Sequence, residues 1–376
     1  MVLCREERQP LSDIVLGFFA PWVIYGFMFL VHLVLPARRV VGYVRDTRTR
    51  KPLTYRLNGP LVLVLMAALW VAAGLTGALP WDWLYVHRWS GLAGSCAAGL
   101  VFSFIMVLSA PRTGKAFVSE MYLGRAENRQ FLRARVDAKM YLYMVGAAML
   151  ALNILSFTAH HLQAFPSDPS PGLVLYTVLF LWFVVDYLVF ENVHLYTYDL
   201  FAERVGFKLG WGCLTFYPYF YLVGLWATAD LPNPRLPAWL LVLSAVVFFG
   251  GWVLSRGANM QKYVFKTHPE RALLGIIKPH SLSDGKNALL CSGFWGVARH
   301  INYLGEILMA TGLTLALGWP VLQRLPGILA WLYPLYYVGL LLPRERDDEK
   351  RCAAKYGELW VRYVQKVPRR IIPGIY

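Results

Sequence analysis

Charged residues are scarce in this chain of 376 residues. Asp, Glu, Lys and Arg together make up 16% of it, whereas a typical soluble protein has about 25%. Hydrophobic residues make up 57%. This composition excludes a large soluble domain and predicts a protein that crosses a membrane several times.

Cysteines and glycine motifs are also sparse. The five cysteines are scattered without metal-ligand spacing, and their odd number argues against a disulfide framework. We therefore predict neither a disulfide scaffold nor a metal site. No Gly-x-Gly-x-x-Gly motif occurs, so a Rossmann sheet is not expected to hold any dinucleotide. Acidic residues are outnumbered 22 to 37 by basic ones. In a membrane protein this excess indicates basic cytoplasmic loops, and we expect no nucleic-acid partner.

Apolar runs long enough to cross a bilayer divide the chain. They lie near residues 13–35, 60–79, 92–110, 140–158, 171–195, 209–227, 237–255, 303–319 and 326–342. We predict an all-α bundle of about nine to ten transmembrane helices. A tenth helix could lie within the aromatic stretch 209–227 or the connection 256–302.

The basic residues of the loops predict the topology. Loops 36–59 and 111–139 each carry seven Lys or Arg residues, whereas loop 159–170 has none. His160 and His161 in that bare loop are interpreted as loop residues, not metal ligands. The positive-inside rule places the basic loops in the cytoplasm. The predicted cytoplasmic segments are 36–59, 111–139, 196–208, 256–302 and the C-terminal tail.

A polar stripe marks the fifth apolar run. Tyr187, Glu191, His194 and Tyr198 are spaced by four, three and four residues, which predicts one helix face. Because burial raises the pKa of a carboxyl, Glu191 is the first candidate for a proton donor. Tyr198 is the second, with His194 to reprotonate it. There are two alternatives. The stripe could form polar contacts that hold helices together, or it could be the solvent-exposed end of a membrane span.

Residues 289–305 place several polar groups directly before an apolar run. Arg299, His300, Asn302 and Tyr303 supply a cation, an imidazole, an amide and a phenol within five residues. The free N–H groups of a following helix would favour a phosphate. We predict a binding site for a charged cofactor at the cytoplasmic boundary. The alternative is a juxtamembrane segment whose Arg reaches toward the interface.

A basic helix face follows the seventh apolar run. Arg256, Asn259, Lys262 and Lys266 fall on one side of a helix. This face could hold a cofactor phosphate or the headgroups of anionic lipids. Farther along the chain, residues 345–366 predict a charged amphipathic helix that is too polar to span the membrane.

Three segments resemble the sterol reductase family, which includes the Δ14- and Δ7-sterol reductases and the membrane part of the lamin B receptor. They are NMQKYVFK, SGFWGVARHINYLGE and DDEKRCAAKYGELWVRY with the final VPRRIIPGIY. The match is specific over 256–376 and weaker upstream. Lys266 stands where the family often has Arg, and Glu306 where Asp is common.

The resemblance implies a multi-span helical enzyme that reduces a sterol double bond with NADPH. The Δ14 and Δ7 bonds are favoured and the Δ24 bond is possible, because the stretch CLTFYPYFY leaves the position open. The implied cofactor contacts are Lys262, Lys266, Leu290, Trp295, Asn302, Tyr303, Asp348, Cys352, Tyr356 and Tyr363. Residues 1–255 would form the sterol-binding bundle, and 256–376 the NADPH-binding half with its last helix hairpin and tail.

The chemistry of an isolated alkene agrees with this expectation. Such an alkene accepts hydride only after an acid protonates it, so a general acid and a reduced cofactor are both needed. The membrane would be the endoplasmic reticulum in a eukaryote or the inner membrane in a bacterium. Three alternatives stay open. They are a methyltransferase of the isoprenylcysteine type that uses S-adenosylmethionine, a steroid 5α-reductase-like enzyme that acts on an enone, and a sterol-binding protein without activity.

Overall fold

The computed structural model of the protein describes residues 10–46, 49–318 and 325–376. Most of these residues are helical. Six of the described helices are long and apolar enough to cross a membrane, which confirms a polytopic membrane protein. They are Leu11–Val34, Gly59–Thr76, Arg88–Leu108, Ala138–Ala164, Pro171–Val189 and Ala238–Thr267.

The helices follow one another along the chain, numbered here in order. They are α1 (Leu11–Val34), α2 (Gly59–Thr76), α3 (Trp83–Val86), α4 (Arg88–Leu108), α5 (Phe117–Leu123), α6 (Ala138–Ala164), α7 (Pro171–Val189), α8 (Glu191–His194), α9 (Tyr198–Phe201), α10 (Phe207–Trp211), a π-helix (Gly212–Phe216), α11 (Tyr217–Phe220), α12 (Val223–Thr228), α13 (Ala238–Thr267), α14 (Phe294–Val297), α15 (Ile301–Leu317), α16 (Leu325–Ala330), α17 (Leu332–Tyr356) and α18 (Glu358–Lys366).

The predicted span at 209–227 is broken into several pieces, from α10 through the π-helix to α12. Pro218 has no N–H group, so the carbonyl of Leu214 loses its helical donor. The hydroxyls of Tyr25 and Ser95 donate to that carbonyl instead, each at 2.5 Å. Helix α15 is apolar but shorter than the six spans. The turn predicted between the last two spans falls on residues outside the described ones, so the number of spans stays a prediction.

Three short antiparallel hairpins interrupt the helical fold of the described residues, so the expectation of an all-α chain was wrong in the loops. The strands are β1 (Arg38–Arg45), β2 (Pro52–Leu57), β3 (Gln130–Phe131), β4 (Val136–Asp137), β5 (Ser281–Ser283) and β6 (Ala288–Leu290). In the first hairpin, Val40 lies opposite Tyr55. Tyr55 and Leu57 pack on Met140 and Leu200, and this buried apolar face stabilises the strands.

The described residues form two compact units. Unit 1 comprises Met1–Pro169 and Phe180–Pro232, and unit 2 comprises Ser170–Leu179 and Asn233–Tyr376. The predicted boundary at 255/256 falls inside the continuous helix α13 of unit 2. The division into a sterol-binding and a cofactor-binding part therefore stays a prediction about function.

In unit 1, α6 extends to Ala164, so His160 and His161 are helical, and their interpretation as loop residues was wrong. The two ring nitrogens of His160 contact Asp82 and Asp230, at 3.1 and 2.9 Å. Nδ1 of His161 lies 3.0 Å from a backbone carbonyl oxygen. Both histidines at this end of α6 thus contact residues that are distant along the chain.

In unit 2, helices α13 and α15 approach each other along small residues. A Cβ atom on Gly305 would lie 2.4 Å from the backbone N of Ser255, and one on Gly312 would lie 2.6 Å from that of Phe248. The hydroxyl of Ser244 donates to the Gly312 carbonyl at 2.8 Å. Glycine therefore permits the close approach of these two helices, as in other membrane bundles.

Helix α17 joins two segments that the sequence analysis separated. It runs without interruption from the predicted last span into the predicted amphipathic segment 345–366. Gly357 then takes a φ of 53°, a left-handed conformation that favours glycine, and α18 begins at the next residue. The amphipathic segment is thus two helices joined at a glycine.

Candidate functional site

The polar stripe of unit 1 does not lie on one continuous helix, so that prediction was wrong. Helix α7 ends at Val189, Glu191 and His194 belong to α8, and Tyr198 begins α9. Thr197 between them is extended, and its hydroxyl donates to the His194 carbonyl at 2.8 Å. A threonine that bonds a nearby carbonyl in this way competes with helix continuation.

Glu191 lies in contact with the N-terminus of α2. Its Oε1 accepts the backbone N–H of Gly59 at 2.6 Å, and only 5% of the residue is exposed. A Cβ atom on Gly59 would lie 2.7 Å from that oxygen, so glycine makes room for the carboxyl. Glu191 lies outside the six candidate spans. Burial raises its pKa to about 7, although the Gly59 hydrogen bond and the charge of Arg38 act in the opposite direction. The carboxyl is thus poised to exchange a proton near neutral pH.

The other two proton-donor candidates have contacts of their own. Nε2 of His194 lies 3.1 Å from the carbonyl oxygen of Tyr187, and its ring centroid lies 4.0 Å from the tyrosine ring. The Tyr198 ring packs edge-on against Phe201 at 5.8 Å. All three candidates belong to unit 1, and which of them acts stays a prediction.

The predicted cofactor residues all belong to unit 2. Helix α13 is continuous through Thr267, so the helical face that carries Asn259, Lys262 and Lys266 is confirmed. The ammonium of Lys262 lies 5.6 Å from the ring centroid of Trp295, and the indole N–H of Trp295 donates to the Ala258 carbonyl at 2.8 Å. The basic face and the aromatic segment therefore meet at Trp295.

Gln261 fixes the segment that precedes α14, a role that sequence reasoning missed. Its amide N–H donates to the Ser292 carbonyl, and its amide oxygen accepts the N–H of Phe294, both at 3.0 Å. Gly293 between them has a φ of 59°, and a Cβ there would collide with the Gln261 side chain. The Asn-x-Gln-Lys motif contains this glutamine, directly before Lys262, and could have indicated that Gln261 has a role.

Asn302 carries an unused acceptor. Its Nδ2 donates to Oδ1 of Asn259 at 3.4 Å. Its own Oδ1 is buried without a hydrogen-bond partner in the described part of the chain. A buried polar atom without a partner is costly, so an N–H or O–H of a ligand would satisfy it. The adjacent Tyr303 is buried, and its ring stacks on His300 at 5.1 Å between centroids.

Arg299 is committed to contacts within the protein. Its Nε and Nη2 bond both carboxylate oxygens of Glu349, at 2.7 and 3.1 Å. Its Nη1 donates to the carbonyls of Val367 and Pro368. Four of its five N–H groups are therefore used by these contacts. These contacts hold the tail, and the predicted contact of Arg299 with a cofactor stays a prediction.

Three of the remaining predicted cofactor residues, Cys352, Tyr356 and Tyr363, belong to a small apolar cluster or pack against it. Trp360, Tyr363 and Val367 are its buried members, and Cys352 and Tyr356 pack against it. The Tyr363 hydroxyl donates to the Trp295 carbonyl at 3.2 Å, which ties α18 to the cofactor segment. Burial raises the pKa of Cys352 to about 12, so this thiol stays protonated. Asp348 lies on the same helix as Cys352, and Leu290 ends strand β6.

One group of side chains has the spacing of a metal site. His300, Glu345 and Glu349 each offer a ligand atom within 4.8 Å of the others. However, Glu349 already bonds Arg299, and Glu345 lies 3.5 Å from a guanidinium nitrogen of Arg370. Because these arginines balance the two carboxylates, the group is better described as an ion network than as a metal site.

Comparison with known proteins gives a family and several relatives. The model of the Ergosterol biosynthesis ERG4/ERG24 family matches residues 12–376. A Delta(14)-sterol reductase of Arabidopsis thaliana is 32% identical, over 97% of this chain and 100% of the relative. The Delta(14)-sterol reductase TM7SF2 of Mus musculus is 32% identical, over 95% of this chain and 86% of the relative. The Delta(14)-sterol reductase LBR of Gallus gallus is 30% identical, over 94% of this chain and 55% of the relative.

The family match covers nearly the whole chain, and it agrees with the resemblance carried by the three C-terminal segments. The elements that bear those segments, from the end of α13 to the tail, pack within one unit. The chain therefore belongs to the Ergosterol biosynthesis ERG4/ERG24 family.

Proposed function

We propose that the protein reduces a carbon–carbon double bond of a sterol with NADPH. The observation that carries the cofactor part is the junction at Trp295, where the basic face of α13 meets the segment held by Gln261 and Tyr363. The names of the relatives make the Δ14 double bond the first candidate. The family match favours this reaction over methyl transfer and over sterol binding without activity.

The donor set in unit 2 fits a phosphorylated dinucleotide. Lys262 and Lys266 lie one turn apart on α13 and would meet the 2′-phosphate. The unpaired Oδ1 of Asn302 would accept an N–H or O–H of the cofactor. The other proposed contacts are Leu290, Trp295, Tyr303, Asp348, Cys352, Tyr356 and Tyr363. Arg299 and His300 would hold these contacting residues in place, because both are buried against Glu349.

Reduction of the alkene needs a proton and a hydride. Bound NADPH would supply the hydride. The protein would supply the proton, and Glu191 is the proposed donor because its buried carboxyl has a pKa of about 7. Tyr198, with His194, is the second choice. Protonation of one alkene carbon leaves a carbocation at the other carbon, which takes the hydride.

Residues 1–255 would bind the sterol, and 256–376 the cofactor. The positive-inside rule would direct the cofactor site to the cytoplasm. The membrane would be the endoplasmic reticulum in a eukaryote or the inner membrane in a bacterium.

The function is tested with the purified protein in detergent, NADPH and a panel of Δ14, Δ7 and Δ24 sterols. Mass spectrometry should find a product two hydrogens heavier from one sterol, the Δ14 sterol first. The double variant Lys262→Ala/Lys266→Ala is the matched control and should give far less product at the same NADPH concentration. Methyl transfer from S-adenosylmethionine, or sterol binding without product on the whole panel, would contradict the proposal.

A further inference from the structure

The C-terminal tail is attached to the cofactor segment by backbone hydrogen bonds. The N–H of Arg299 donates to the carbonyl of Arg369 at 3.0 Å, and the N–H of His300 donates to that of Arg370 at 2.7 Å. Two successive bonds of this kind fix the distance between residues 299–300 and the tail, and also the register in which the two segments pair. The two residues immediately precede α15, which begins with the predicted cofactor residues Asn302 and Tyr303 in its first turn.

Side-chain contacts strengthen this attachment. Arg299 has only 2% of its side chain exposed, and its Nη1 reaches two tail carbonyls, those of Val367 and Pro368, at 2.7 and 3.0 Å. Its other nitrogens form the two-pronged pair with Glu349. The tail is thus held to a guanidinium whose charge is balanced by one carboxylate of α17.

Glu349 reaches a second partner on the same segment. Its Oε1 lies 3.3 Å from Nε2 of His300, whose ring stacks on Tyr303. Burial alone would raise the pKa of Glu349, but its contacts with His300 and Arg299 lower it to about 2. The carboxylate therefore stays charged at physiological pH and keeps both partners in place.

From these contacts we propose that Glu349 is a positioning residue for the cofactor site. Through Arg299 it clamps tail residues 367–370 onto residues 299–300, and through His300 it orients the first turn of α15. The tail in turn carries α18, because the N–H of Val367 bonds the carbonyl of Tyr363, whose hydroxyl holds Trp295. The cofactor part of this inference rests on the proposed function, whereas the clamp itself does not.

The variant Glu349→Gln tests the clamp in the full-length protein in detergent. Hydrogen–deuterium exchange of the backbone amides of residues 299 and 300, which donate to the tail carbonyls, measures the attachment of the tail. We expect this exchange to be faster by about tenfold or more, because a charge-assisted contact of this kind is worth at least one factor of ten. Steady-state kinetics measure the site. The KM for NADPH should rise about tenfold on the same argument, while the kcat at saturating NADPH and the KM for the sterol stay within about twofold.

Two further variants make the test specific. Arg299→Lys keeps the charge balance but loses the two-pronged geometry, so it should fold even if Glu349→Gln does not, and it should shift the same two readouts in the same direction. Arg351→Gln is the control, because it breaks an exposed pair with Asp347 on the same helix, at 2.6 Å and with 54% and 47% of the side chains exposed. It should change neither readout.

The outcomes separate the clamp from the proposed function. Wild-type exchange of the backbone amides of residues 299 and 300 in both Glu349→Gln and Arg299→Lys would overturn the clamp. Faster amide exchange with an unchanged KM for NADPH would overturn the positioning role. A fall in kcat that is matched by equal rises in both KM values would overturn it as well. If the wild-type protein turns over no NADPH, the proposed function and the positioning role both fail, while the exchange measurement still decides whether the clamp exists.

Discussion

Replacement of Glu191 by glutamine distinguishes a proton donor from a structural carboxyl. Glutamine keeps an oxygen that can accept the Gly59 N–H, which Oε1 of Glu191 accepts at 2.6 Å. It has nearly the same shape but no acidic proton. If Glu191 only stabilises the N-terminus of α2, the variant should work normally; if Glu191 is the donor, reduction should fail.

The size of the stability effect follows from the pKa. Burial raises the pKa of Glu191 from an ordinary 4.5 to about 7. A raised carboxyl pKa contributes stability below pH 4.5, and this contribution is lost as the pH rises through 7. At 1.4 kcal/mol per pKa unit, the loss is at most about 3–4 kcal/mol. Glutamine does not ionise, so Glu191→Gln should be at least as stable as the wild type at about pH 8.

The activity of Glu191→Gln should fall, although its stability at high pH should not. We expect Glu191→Gln to lose sterol reduction by about 10²-fold or more, the usual scale for a general acid, while NADPH binding is kept. The wild-type rate should fall as the pH rises above about 7, because the protonated carboxyl disappears. Product formation by mass spectrometry and thermal unfolding in detergent, both across pH, measure the two effects. Glu203→Gln removes another buried carboxylate of unit 1 and should keep its activity.

Full activity in Glu191→Gln would refute the reasoning from the raised pKa. If the loss then appears in Tyr198→Phe, the phenol is the donor. If both variants are fully active, neither residue is the proton source. A Glu191→Gln protein that is both inactive and unstable at high pH would instead indicate that the carboxylate itself is needed for the fold.

Two other predictions concern the cofactor and the topology. Lys262→Ala/Lys266→Ala should weaken NADPH binding and leave NADH binding nearly unchanged, measured by titration; equal losses for both would indicate a fold defect instead. Single cysteines introduced into 36–59 and 111–139 of a cysteine-free protein should react with an impermeant reagent from the cytoplasmic side. Cysteines in 165–170, the part of the predicted loop 159–170 that follows α6, should react from the opposite side. Labelling of 165–170 from the cytoplasm would contradict the predicted span arrangement.

The elements that local sequence specifies were predicted well. Long apolar runs with at most one charged residue became α1, α2, α4 and α6, because a helix pairs all of its backbone groups within one segment, as the membrane interior requires. The basic face on α13 was also predictable, since it depends only on helical periodicity. The errors lay elsewhere. Thr197 interrupts the helix that the polar stripe was expected to form, and α6 extends past its apolar run to include His160 and His161.

By itself the sequence determined the membrane-spanning class and the family, because composition and contiguous motifs encode them. Only the tertiary structure decided what individual polar groups do. It directed Arg299 to the tail and Glu349, and Glu191 to the end of α2, by contacts between residues 50 and 132 positions apart. The partner of a side chain depends on which buried donors and acceptors the fold brings within about 3 Å of it. The spacing of residues along the chain does not specify these tertiary contacts.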